Sequence, residues 1–588
     1  MGALVERLRG VSVWAAAAVA LLVLLFAGSL REPARYMVGP HAFMHHAIGQ
    51  AALSSPTAPE NPVAAGEPLH YPYAGDLLTA AIGSWSRLPD DVISLALNFV
   101  ALLIFATLVF RAATRVGLSA PASAFSVVFG LIPFSILMLP GHAVFERAFG
   151  SNGGPIDRLV AAAFQESRAI GFIKFLNVNQ NGWGLAALAA CLAASLAIVD
   201  RKRPHPFAYA LFGAGLLGVL LFYPIYAPVA VAVGAAVAAA RWAESYYFAP
   251  VGRPFFKRAL DAAGPTVRDP HVLAIAAIGV AASAVSFPYL SDVLLERPGT
   301  LSADDTAIIL PLGERLFADG ATLLRVCAFL VPIAFFFRDP LRAHWKENFA
   351  AAIVLTAVLG FSLALYFVVS PPLRTNYKFL LPFNLALALL TAPAAERLWR
   401  LRPLATSGLA VASILSAVVF IDSFSRNYAP SAVRAGRHYS SSDPDHRSVM
   451  EWLRSETPAN SVVLDCGYAA PTFARRTLFI AYDRPGVDCR PNGRRADGWR
   501  MPHEGLVRNV LVVEAEERVV RQRLMARIFD KTSAAAPALA DAAERVHGRP
   551  VFIIARTDAD RERLAVAGAA LRHESGEFAV LEYAPVVR

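Results

Sequence analysis

Charged side chains are scarce in this chain. Of 588 residues only 17% are Asp, Glu, Lys or Arg, against roughly a quarter in a soluble domain. That deficit excludes an ordinary soluble protein over most of the length. Acids are the scarcer sign, 45 against 55 bases, leaving a net charge of +10. The excess does not point to nucleic acid, because Lys and Arg fall in short clusters between hydrophobic runs, where they report membrane topology. Cysteine is rare, with four in all. No repeat of 20–50 residues is present, which excludes a solenoid, and no low-complexity tail is found.

What is abundant is apolar. Hydrophobic residues make up 56% and the mean hydropathy is +0.46. They gather into runs long enough to cross about 30 Å of hydrocarbon. Spans are expected near 11–30, 91–110, 118–139, 181–199, 207–222, 225–240, 272–290, 322–337, 349–370, 379–393 and 405–421, about eleven in all. The first is a retained helix, since Ala27-Gly28-Ser29 is a poor cleavage site for a signal peptide. Starting with the N-terminus in the cytoplasm, every cytoplasmic connection is basic. These carry Arg111 and Arg115; Arg201, Lys202 and Arg203; Arg241, Arg253, Lys257 and Arg258; Arg338, Arg342 and Lys346; and Arg397, Arg400 and Arg402. That regularity fixes the orientation.

The expected protein is therefore a polytopic α-helical inner-membrane protein. Residues 1–421 form its multi-span domain, with long outer loops 31–90, 140–180 and 291–321. Residues 422–588 form an extracytoplasmic α/β domain. In that domain Asp443 to Arg454 has helical spacing, and strands are expected at 461–464, 510–513, 551–554 and 578–583. Residues 157–180 mix apolar and charged positions as an interfacial amphipathic helix does. Cys191 and Cys327 fall in spans, where a thiol packs as a small hydrophobe. Cys466 and Cys489 are the remaining pair, in a compartment where disulfides persist, and a bridge between them is expected.

The first outer loop is the most informative segment. It reads His41-Ala42-Phe43-Met44-His45-His46, then Pro59-Glu60-Asn61-Pro62, then Gly66-Glu67-Pro68-Leu69-His70-Tyr71-Pro72-Tyr73 and Asp76-Leu77-Leu78. Loops of this length in compact proteins are usually functional. Far along the chain, Leu373-Arg374-Thr375-Asn376-Tyr377-Lys378 places two cations on an outer turn, against the inward bias, and a phosphate partner would account for them. Asp304-Asp305 reads as a helix N-cap ahead of a metal site.

This order of a first span, an outer loop of the form Asn-Pro…Gly-Glu-Pro-Leu-His-Tyr-Pro-Tyr…Asp-Leu-Leu, a late Arg-x-Asn-x-Lys turn, and an outer domain opening Val-Met-Glu-Trp-Leu-Arg resembles the GT-C class of polytopic glycosyltransferases. The resemblance implies transfer of a sugar from a polyprenyl-phosphate-linked donor to a glycan, lipid or protein acceptor outside the cytoplasm. It implies that a first-loop acid acts as base or as ligand to a divalent metal, whose other ligands are unassigned; the residues themselves require no cofactor. The acid that the class carries near the end of the first span is absent, and His41 and His45 stand where an Asp-x-x-x-His pattern is expected. No Asp-x-Asp pair occurs in the loop. The catalytic candidates are Asp76, Glu67 and Glu60, with His41, His45, His70 and Tyr73 as loop contributors. Arg374 and Lys378 are the candidate donor-phosphate ligands. Asp76 leads because a helix start favours a carboxylate there. Two other classes stay open, a lipid-linked glycan flippase, which requires ionisable residues or broken helices at mid-membrane, and a non-catalytic glycan- or partner-binding membrane protein.

Overall fold

A computed structural model describes residues 2–29, 40–88, 90–135, 171–176, 180–200, 206–248, 254–295, 314–368, 376–428, 444–465, 470–482, 513–529 and 534–584. The expectations for Asp304-Asp305, Arg374, the Cys466–Cys489 bridge, a strand at 510–512 and most of the 157–180 helix lie outside these residues.

The chain opens with α1 (Gly2–Ser29). The first loop then contributes α2 (Pro40–Ser54) and α3 (Ala74–Ser86). The bundle continues with α4 (Asp90–Arg115), α5 (Ala120–Leu131), the single turn α6 (Ile173–Leu176), α7 (Asn181–Asp200), α8 (Pro206–Phe222) and α9 (Ala227–Phe248). Next come α10 (Phe255–Val267), α11 (Pro270–Leu290), α12 (Glu314–Cys327), α13 (Leu330–Phe336), α14 (Arg338–Glu347), α15 (Phe349–Val368), α16 (Leu380–Leu401) and α17 (Pro403–Tyr428).

Among the described residues six helices are long and apolar enough to cross a membrane, and four shorter apolar helices accompany them. Two of the six form the centre of the bundle, α7 with 89% of its apolar window buried and the Tyr377–Leu401 span with 83%; the Pro270–Val293 span, with 17%, lies at the periphery. The central helices approach closely because small residues permit it. A Cβ on Gly130 of α5 would stand 2.9 Å from Leu385 of α16. At the same crossing the Asn384 amide donates to the Phe129 and Gly130 carbonyls. The span expected over 322–337 is not one helix. It is divided between α12 and α13, because Pro332 has no N–H to give the carbonyl at residue 328 and so belongs in the first turn of a new helix.

The C-terminal domain comprises α18 (Pro444–Glu456), β1 (Val462–Leu464), β2 (Thr477–Leu478), α19 (Ala515–Phe529), α20 (Ala535–Arg545), β3 (Val551–Ala555), α21 (Asp558–Val566), β4 (Ala570–Ser575) and β5 (Phe578–Tyr583). The sheet order is β2-β1-β3-β5-β4. β1 runs parallel to β2 and β3, and β5 runs antiparallel to β3 and β4. β1 and β3 are buried along their whole length, as apolar central strands are. After them, Asp465 and Arg556 form a buried two-pronged ion pair, with N–O distances of 2.9–3.1 Å.

The first loop is built into this domain. Residues 59–69 form a hairpin, with Asn61 N–H donating to Glu67 O (2.7 Å) and Leu69 N–H to Pro59 O (2.9 Å). Its bend passes through Gly66 at φ +81°, a conformation that favours glycine. The hairpin tip pairs with the edge at β2. Leu478 N–H donates to Pro62 O, Ala65 N–H to Leu478 O, and Ala481 N–H to Val63 O, at 2.8–3.0 Å. The tip is fully covered, with Asn61, Val63, Ala64 and Ala65 all at 0–1% exposure.

Candidate active site

Two of the seven first-loop residues named from sequence, the loop contributor His45 and the leading acid Asp76, meet in space. His45, on α2, and Asp76, in the first turn of α3, are both buried, and Nδ1 of His45 lies 2.9 Å from Oδ2 of Asp76. The approach of the two helices depends on Gly49, one turn after His45 on the same face of α2. A Cβ there would stand 2.6 Å from the Asp76 carbonyl oxygen. Below α3, Gly75 packs on Gln180, whose amide donates to Pro72 O at 3.0 Å. Tyr289 of α11 fixes the start of the helix, its hydroxyl accepting from Tyr73 N–H at 2.9 Å and donating to Leu221 O. The dyad thus joins α2 to the start of α3, whose preceding backbone is held by Gln180 and Tyr289.

The ring of Tyr71 lies edge-on to His45, 5.8 Å between centroids. Tyr71 is also within electrostatic reach of Tyr223, which occupies the turn between α8 and α9. Burial pushes the Tyr223 hydroxyl well above the ordinary tyrosine range, with Tyr226, Tyr377 and Tyr71 pushing the same way, so a neutral phenol stands there. Asn181, at the start of α7, accepts from Tyr226 at 2.9 Å. Two cations lie against these rings. The Lys378 ammonium lies 5.0 Å from the centroid of Tyr223, and the Lys174 ammonium 4.6 Å from that of Tyr377. Lysine is almost never fully buried without a reason, yet Lys174 is only 4% exposed. The site therefore runs from a carboxylate–imidazole pair, across a shelf of tyrosines, to two ammonium groups.

The remaining sequence candidates have other employment. Glu60 receives Gly66 N–H, the Thr477 hydroxyl at 3.1 Å, and Arg549. Glu67 pairs with Arg521 at 3.3 Å. Burial pushes the Glu67 carboxyl up; Arg521 opposes this, and Glu517 and Glu514 add to it. Both glutamates join the hairpin to the C-terminal domain, Glu60 through Arg549 and Glu67 through Arg521. His70 lies 2.7 Å from the Asp292 carbonyl, and the Tyr73 hydroxyl donates to Pro56 O at 3.0 Å. These two hold the loop in place. His41 lies on α2, and its side chain is outside the described residues. Lys174 was missed from sequence. Its one signal was a cation inside the apolar string Phe172-Ile173-Lys174-Phe175-Leu176.

Among the described residues no group of three His, Cys, Asp or Glu side chains gathers as a metal site. Asp76 spends one oxygen on His45, and the two together do not make a full ligand set for an oxygen-seeking cation.

His46, next to the dyad, is buried and its pKa is lowered to about 3 by burial and by His45. It is a neutral packing group. The unfolded chain regains an ordinary histidine near 6.5. Between the two values the unfolded state holds more protons, so stability rises with pH and is lost as pH falls from about 6.5 toward 3. Thermal melting followed across that window is expected to show a falling transition for the wild type and a flatter one for His46→Leu. Parallel curves would remove His46 as the cause.

No protein-family model matches the sequence, and no curated protein matches it. Solved structures do. ArnT from Cupriavidus metallidurans bound to undecaprenyl phosphate aligns over 97% of this chain and 98% of its own, at 12% identity and a TM-score of 0.49. The archaeal oligosaccharyltransferase AglB from Archaeoglobus fulgidus, in complex with an inhibitory peptide and a dolichol-phosphate, aligns over 98% of this chain and 75% of its own, at 12% identity and a TM-score of 0.45. The arabinofuranosyltransferase AftD from Mycobacteria aligns over 97% and 40%, at 12% identity and a TM-score of 0.49. All three are GT-C glycosyltransferases.

Proposed function

We propose that this protein is a membrane glycosyltransferase that moves a sugar from a polyprenyl-phosphate-linked donor to a glycan, lipid or protein acceptor on the extracytoplasmic side. The observation that carries the reading is the convergence of the His45–Asp76 pair with Lys174 and Lys378 around one shelf of tyrosines. Glycosyl transfer breaks the bond between the anomeric carbon and the donor phosphate and forms one to an acceptor oxygen. The acceptor hydroxyl proton must go to a base, and the departing phosphate must be met by positive charge. Asp76 accepts from Nδ1 of His45, which selects the tautomer with its lone pair on Nε2. His45 then takes the acceptor proton while Asp76 steadies the imidazolium that forms. Lys174 and Lys378 leave the tyrosine faces for the stronger attraction of the phosphate. Arg374, four residues before Lys378 in the sequence, is proposed as a third ligand. The tyrosines, neutral and flat, offer both a hydroxyl and a ring face to the sugar.

Binding of undecaprenyl phosphate to the purified full chain tests this without knowledge of the acceptor. A hydrogen bond to a charged group contributes about 1.5–3 kcal/mol, so Lys174→Ala and Lys378→Ala should each weaken binding roughly 10–150-fold. A Lys174→Ala/Lys378→Ala protein that binds the lipid as tightly as the wild type removes the donor site from this shelf.

A further inference from the structure

The opposite end of the bundle carries a second feature that the reaction does not use. There, α4 and α8 both pack on α7 and leave a slot of about 400 Å³ between them. Ala193, Ala194 and Ala197 of α7 face it, so the middle helix contributes methyl groups where longer side chains would close the gap. Leu108 and Leu211 line its walls, and Phe207 stands at the mouth, 64% exposed. Arg111 and Arg115 lie on the α4 wall, one turn apart on one face, both exposed. Among the described residues neither guanidinium has a carboxylate partner. Arg111 lies inside the spanning segment Val92–Arg115, about one turn from its end.

The two guanidiniums flank a lined apolar slot, an arrangement that a headgroup phosphate and an acyl chain would fill together. We infer that this slot binds one anionic diacyl phospholipid, with its phosphate between Arg111 and Arg115 and one acyl chain along the alanines of α7. The guanidinium fork suits a phosphate, and basic pockets between spanning helices on the cytoplasmic side are suited to anionic headgroups. The site is distinct from the proposed donor shelf, since α7 begins at the shelf with Asn181 and ends at this face with Asp200. The inference does not depend on the transferase reading.

Native mass spectrometry of the purified full chain with dioleoyl-phosphatidylglycerol tests it. One saturable lipid is expected per chain, held about tenfold or more tightly than dioleoyl-phosphatidylcholine, which has the same tails and no net charge. Arg111→Gln/Arg115→Gln should abolish that preference. Arg397→Gln/Arg402→Gln, which removes two cations at the same end of the bundle, should leave it intact. Ala193→Leu fills the slot and should displace the lipid while both arginines remain. Equal binding of the two lipids, equal loss in both arginine pairs, or full displacement by inorganic phosphate alone would each overturn the site. If Ala193→Leu melts early, the two arginine pairs decide the matter between them.

Discussion

Asp76→Asn is expected to cut transfer roughly 10²–10⁴-fold, the range for loss of general-base catalysis, while the protein inserts and purifies as before. The amide has nearly the shape of the carboxylate, and α3 keeps its start because Tyr289 and Gln180 hold it by backbone contacts. What changes is the partner of His45. An amide can donate to Nδ1, which leaves the proton on Nε2, the position that must be free to accept one. His45→Ala should lose a similar factor, and the double variant little more, since the two residues act as a unit. Release of labelled sugar from polyprenyl-phosphate donor in membranes measures all three. An Asp76→Asn protein of wild-type activity would show that the pair serves only to hold α2 against α3.

The second large effect concerns stability. Arg521→Ala should cost about 3–5 kcal/mol, the range for removing one partner of a buried ion pair. The Arg521 side chain is 4% exposed. It donates to Glu517 at 2.7 Å, to Phe479 O at 3.0 Å, to Ala65 O, and to Glu67. Glu517 is further held by Arg545; burial pushes its carboxyl up, but the bonds from Arg521 and Arg545 win and hold it below the usual range. Removing Arg521 strands two carbonyls and weakens the hold on two carboxylates across the junction of hairpin and domain. Arg521→Lys keeps the charge without the planar fork and should fall between. Melting of the purified chain, together with protease cleavage at residues 60–67, reads the effect. Unchanged melting and an uncut hairpin would show that strand pairing alone secures the junction.

The spans were legible because a membrane demands long apolar runs, and the runs at 181–199 and 349–370 became α7 and α15 nearly as read. The break before Pro332 was legible in principle, but an apolar average over 322–337 conceals it. In the C-terminal domain β1, β3 and β5 followed from their β-branched and apolar composition. β2 has only two residues, and β4 is an exposed strand reading Ala-Leu-Arg-His-Glu-Ser, so neither has a period to detect. Within the site, Asp76 stood out because a carboxylate at a helix start has a physical reason to be there. Lys174 did not, because what makes it notable is Tyr377, 203 residues away. Glu60 and Glu67 looked like loop acids for the same reason. Their partners Arg549 and Arg521 lie 489 and 454 residues on, and no local pattern announces a contact of that range.

The pairing of the hairpin tip with β2 also sets a clock on assembly. Ala65 leaves the ribosome 456 residues ahead of Arg521, which must grip it. At about 5–20 residues per second, the early loop waits roughly 20–90 s for its other half, through the insertion of every later span. Until Leu478 and Ala481 emerge its tip has open backbone groups and no strand to join, and until Arg521 follows them it lacks its clamp. A chain interrupted anywhere before Arg521 could already sit in the bilayer with α2 and α3 in place, yet it would lack the clamp that seats the loop between them. Synthesis of the C-terminal domain as far as Arg521, rather than membrane insertion, is therefore the event that seats the loop joining the two helices of the His45–Asp76 pair.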